Sequence, residues 1–115
     1  MVKIKFATGS GAIHFKAIGH AQYAEYGYDI VCASVSILAY SLAEAVNEAK
    51  KCEYLSHPPS ISISEGRIEV ECLPISEEYD RMLTIFNTIK MGYRLLASNY
   101  PENIILDESG FTHSK

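Results

Sequence analysis

Two stretches of strict apolar–polar alternation, each followed by a long segment with helical apolar spacing, constrain this chain more than any other feature. Val2, Ile4 and Phe6 alternate with Lys3 and Lys5. After the turn signal Gly9-Ser10-Gly11, Ile13, Phe15 and Ala17 alternate with His14 and Lys16. A period of two puts the apolar residues on one face of a strand, so this region predicts an antiparallel hairpin with one buried face. The pattern returns further on. Ser60 to Ser64 alternates Ser and Ile, Glu65-Gly66 is a tight-turn signal, and Ile68, Val70 and Cys72 share one side of the next strand. Pro58-Pro59 and Pro74 bracket this second hairpin.

Each hairpin leads into a helical pattern. Asp29 precedes a predicted helix from Ile30 to about Lys51, with Val31, Val35, Leu38, Leu42 and Ala45/Val46 at helical spacing. No charge occurs from Ile30 to Ala43, so this half is expected to be covered by the sheet and by a second subunit. Ser76-Glu77-Glu78 has the residues of a helix start. Met82, Phe86, Ile89, Tyr93 and Leu96 then recur at steps of four, three, four and three, and the helix should stop before Pro101. Asn103 to Leu106 suits a short edge strand. The order ββαββα predicts an α+β, two-layer domain: a four-stranded, mainly antiparallel sheet with two helices on one face. The expected domain is 1–106, with 107–115 a polar C-terminal tail.

Charge and composition narrow the function. Fourteen acidic and ten scattered basic residues leave a net charge of −4, which argues against direct nucleic-acid binding through phosphate neutralisation. The alternating, lysine-bearing N-terminus lacks the apolar stretch of a signal peptide, and no apolar run is read as a membrane span, so the expected compartment is the cytoplasm. The three cysteines, Cys32, Cys52 and Cys72, are odd in number and widely spaced. Neither a disulfide framework nor a zinc site follows from them.

One of the three stands where chemistry is possible. If Asp29 caps the helix, Cys32 lies in its first turn, among amides that have no helical partner. Those donors and the helix dipole favour a thiolate and would hold an oxyanion. The competing reading is a small core residue, which is what most cysteines are and what Cys52 and Cys72 look like. His20 follows Gly19 at the end of the second strand, and imidazole titrates in the range a thiol's base needs. By strict alternation His20 shares the solvated phase of His14 and Lys16, so the chain must turn early for it to reach Cys32. Ser36 lies one helical turn after Cys32, on the same face. Tyr23, Tyr26 and Tyr28 are either a wall over substrate or packing at the domain edge.

Gly19-His20-Ala21, then Gly27, then Asp29-Ile30-Val31-Cys32-Ala33-Ser34-Val35-Ser36 resembles the signature of the bacterial ribosomal-processing cysteine proteases called Prp. In that family a glycine–histidine ends a strand, a short loop follows, and a G-x-D-I-V-C-A-x-V-S segment opens a helix. Ser34 stands where many relatives carry Ala, a small change on the helix surface. The resemblance implies catalytic roles for His20 and Cys32, with Gly19, Ala21, Gly27, Asp29 and Ser36 supporting them or contacting substrate. It implies a homodimer without metal or cofactor. It also implies the substrate: the N-terminal extension of large-subunit ribosomal protein twenty-seven, cut after an apolar, phenylalanine-containing segment. The alternative is a noncatalytic ribosome-associated protein-binding module.

Overall fold

In a computed structural model of the chain, residues 1–19 and 26–112 are described, with side chains for all of these except 26–29. The first hairpin joins β1 (Val2–Gly9) to β2 (Ala12–Ile18), pairing Phe6 with Phe15 and Ile4 with Ala17. Helix α1 runs from Tyr26 to Lys51. The second hairpin joins β3 (Ser60–Ser64) to β4 (Arg67–Cys72). A 3-10 turn at Ser76–Glu78 leads into α2 (Tyr79–Asn99), and β5 (Ile104–Gly110) closes the chain.

The expected four-stranded, mainly antiparallel sheet is corrected to a five-stranded mixed one, in the order β3-β4-β2-β1-β5. β5 lies parallel to β1, with Val2 opposite Ile104 and Ile4 opposite Leu106. The edge strand expected at Asn103–Leu106 therefore runs on to Gly110, and Phe111 beyond it is buried. The domain does not end at residue 106. Polar Asp107, Glu108 and Ser109 resemble a tail in sequence, but Asp107 pairs with Lys5 and Glu108 binds Lys90 and Arg94, far from them along the chain.

The inner face of the sheet is apolar because alternation sends Val2, Ile4, Phe6, Ile13, Phe15, Ile68, Val70 and Cys72 the same way. Val31, Val35, Ala39, Leu42, Val46 and Ala49 of α1 cover it, with Met82, Phe86 and Tyr93 of α2. By length and a mean hydropathy of 1.6, Ile30–Lys51 would suffice to cross a bilayer. That overturns the reading of no such run, although the helix here lays one stripe on the sheet. Tyr93 stacks on Phe15 at 5.5 Å between ring centroids, and its hydroxyl donates to the Val35 carbonyl at 2.8 Å. Burial holds that phenol well above its ordinary pKa.

β5 is locked to α2 by charge. Lys90 is only 1% exposed, with Nζ 3.2 Å from Glu108 Oε1 and 4.4 Å from the centre of the Phe111 ring. Arg94 donates to both oxygens of the same carboxylate. The Arg94 guanidinium, reinforced by Lys90, pulls the Glu108 carboxyl down to about 2 from an ordinary 4.5. A lowered folded-state pKa stabilises the fold above the unfolded value, and the contribution disappears as pH falls through the folded one. Glu108→Gln should therefore cost about 3 kcal/mol at pH 7, since Lys90 stays buried without its counter-charge. Urea melts should also show the wild type losing stability more steeply than the variant between pH 4.5 and 2.

Candidate active site

Helix α1 begins at Tyr26, four residues earlier than the sequence reading placed it. Asp29 is thus the fourth residue of the helix and not its cap. Gly27 lies in the same turn. Cys32 is the seventh helical residue, and the amides without helical partners belong to Tyr26–Asp29. The expectation that Cys32 stands among free first-turn amides is corrected accordingly. Gly27 and its tyrosine neighbours are weak helix formers, but the stretch 26–30 holds no proline to bar an earlier helix start.

Cys32 is half-buried on the flank of α1 that faces the second hairpin. Ser36 and Tyr40 follow it at successive helical turns and line the same cleft, of about 220 Å³. Across from them stand Ser64, Glu65, Gly66 and Arg67 of the β3–β4 turn and Ile68 of β4, with Val2, Ala17 and Gly19 forming the floor and end. Arg67 is drawn aside by Glu69, Nη2 to Oε1 at 3.2 Å. The other thiols lie elsewhere. Cys52 is exposed just past α1, and Cys72 is buried in β4, where burial and the nearby Glu71 charge push its thiol up to about 12.

Gly19 marks where the strand pattern ends. β2 stops at Ile18, and Gly19 turns to φ +105 with its N–H donating to the Gly66 carbonyl at 2.9 Å. The strand pattern therefore ends one residue before His20. His20, Ala21 and Tyr23 lie outside the described residues. Of the residues singled out in sequence, Gly19, Cys32 and Ser36 are brought together at one cleft. The sequence reading missed Tyr40 and the wall made by the β3–β4 turn. Glu65-Gly66 was legible as a turn, but no local signal says which helix it faces.

The family model described as cysteine protease Prp matches residues 1–105. A ribosomal processing cysteine protease Prp of Mycoplasma genitalium is 28% identical over 95 residues, spanning 83% of this chain and 87% of the relative. One from Staphylococcus aureus is 27% identical over 89 residues, spanning 77% and 79%. The crystal structure of Prp from S. aureus with a covalently linked product peptide superimposes with a TM-score of 0.69 at 25% identity, covering 94% of this chain and 99% of that one. SMU.848 from Streptococcus mutans does so with a TM-score of 0.68 at 26% identity, covering 94% and 93%. By class, the protein is a cysteine protease. The chain belongs to the Prp family, and the noncatalytic alternative is set aside.

At Gly19 a Cβ would collide with the Met1 carbonyl, and the backbone conformation disfavours any L side chain. Gly19→Ala should cost roughly 1–3 kcal/mol in thermal or urea unfolding.

Proposed function

We propose that this protein removes the N-terminal extension of large-subunit ribosomal protein twenty-seven, with Cys32 as nucleophile and His20 as its acid–base partner. The observation that carries this reading is the placement of Cys32 in the cleft that Gly19, the residue before His20, also borders. The names of the relatives, ribosomal processing proteases, support the substrate class. His20 accepts the thiol proton and the thiolate attacks the scissile carbonyl. His20 then protonates the leaving amine, and water, activated by the same imidazole, releases the acyl group from Cys32. Ser36 stands one turn from the nucleophile on the same wall and offers its hydroxyl to the oxyanion. No step calls for a metal or cofactor. The three cysteines form no disulfide, which suits a reducing cytoplasm.

Incubation with the extended ribosomal protein, followed by mass analysis, should show trimming by wild type and none by Cys32→Ala. Absence of trimming by wild type overturns the substrate assignment. Iodoacetamide near neutral pH should modify Cys32 before exposed Cys52, with buried Cys72 last. His20→Ala should slow the Cys32 reaction roughly 100-fold, the lower end of what a positioned base contributes.

The same reading includes a homodimer. The uncharged stretch of α1 from Ile30 to Ala43 exposes Ile30 and Ile37, and α2 exposes Met91 and Leu95 on either side of Gly92, where it meets Leu38 of α1. A second copy is the occupant proposed for this surface. Ile37→Asp should shift the sedimentation coefficient from dimer to monomer while the circular dichroism stays unchanged.

A further inference from the structure

β3 is an edge strand with no strand paired to its outer side among the described residues, and its end reaches the cleft of Cys32. The direction of its backbone groups follows from the ladder. The Val2 N–H donates to the Asn103 carbonyl, toward β5. In antiparallel pairing successive residues aim their N–H and C=O to opposite sides. With Val2 aimed at β5, Lys3 and Lys5 aim at β2, and Ile13, Phe15 and Ala17 aim at β4. Arg67, Glu69 and Glu71 then bond to Ser64, Ser62 and Ser60. The N–H and C=O of Ile61 and Ile63 are left pointing off the sheet. No backbone hydrogen bond from another segment reaches them among the described residues.

Sheets usually guard such edges with lysine, proline, inward charge or a covering segment. β5, the opposite edge, carries Asp107 and Glu108. β3 reads Ser-Ile-Ser-Ile-Ser, with no charge and no proline. Its side chains are also divided. The serines face the outer side of the sheet, whereas Ile61 and Ile63 lie on the helix side, and Ile63 is 51% exposed. Tyr40, 44% exposed, stands on α1 on the far side of the cleft that Ser64 borders. The open edge thus ends at Ser64, on the rim of the cleft that holds the thiol and Tyr40.

We infer that the substrate chain is bound as an added strand on β3, through the outward N–H and C=O of Ile61 and Ile63, with alternate apolar side chains resting against Ile63 and Tyr40. This rests on Cys32 being the nucleophile and extends it to the recognition of the flanking chain. Strand addition supplies affinity from the main chain and selectivity from every second side chain. It requires the flank of the scissile bond to be extended and apolar at alternate positions. A second copy pairing edge to edge is the rival occupant. The continuity of β3 with the cleft through Ser64 favours the substrate.

The test uses the full-length protein and peptides spanning the junction of the N-terminal extension of ribosomal protein twenty-seven. Each peptide carries one backbone N-methyl group, moved residue by residue along the flanks of the scissile bond. The expected result is alternation on one flank: at every second position KM rises about tenfold, and at the positions between it does not change. Uniform effects or none would overturn the inference. Ile63→Pro removes an outward donor and leaves the ladder to β4 intact. It should raise KM for the unmodified peptide while the rate of Cys32 alkylation stays at the wild-type value. Unchanged KM in this variant, or an altered sedimentation coefficient, would overturn strand addition by substrate. Failure of the nucleophile assignment looks different: Cys32→Ala would still cleave the unmodified peptide.

Discussion

The buried contact of Tyr93 with Phe15 and Val35 organises the molecule around the cleft. Its ring stacks on a residue of β2, and its hydroxyl donates to a main-chain carbonyl of α1, one turn beyond Cys32. A phenol in the core must find an acceptor, because burial without one costs about 1–3 kcal/mol. The Val35 carbonyl satisfies it. In doing so it sets how far α1 stands from α2 and therefore which flank of α1 faces the second hairpin. Cys32, Ser36 and Tyr40 lie on that flank.

The two sheet edges are treated differently. At β5, Glu108 draws Lys90 and Arg94 of α2 onto the strand, and Phe111 covers the Lys90 ammonium. This edge is charged and tied down. At β3 the serine–isoleucine alternation leaves two residues' main-chain groups facing outward, beside the exposed Ile63 side chain. The difference separates the edge that completes the fold from the edge available to a partner, and only the latter reaches Cys32.

Much of the fold was legible because period-two and helical patterns are local. Both hairpins, the Met82–Leu96 stripe and the end of α1 at Lys51 stand where the patterns placed them. Two features were not. The start of α1 was misplaced because Asp29 looks like a cap, and a cap residue is informative only when the chain before it leaves the helix. The end of β5 was misplaced because Asp107-Glu108-Ser109 is polar, and its pairing partners, β1 and α2, are distant in sequence. Strand alternation could not be carried past Ile18, because Gly19 turns to φ +105.

By itself the sequence determined the one-sided burial of both hairpins, the two amphipathic helices and, through its dense match around positions 19 to 36, the kind of chemistry to look for. Those are properties of neighbouring residues. Tertiary structure alone decided that β5 joins β1 in parallel, that the β3–β4 turn forms the wall opposite Cys32, and that the Gly66 carbonyl holds Gly19 where the chain leaves the sheet. Each of these joins segments far apart in the chain. Such contacts form only when the shared apolar face is buried, and no local pattern of residues specifies them.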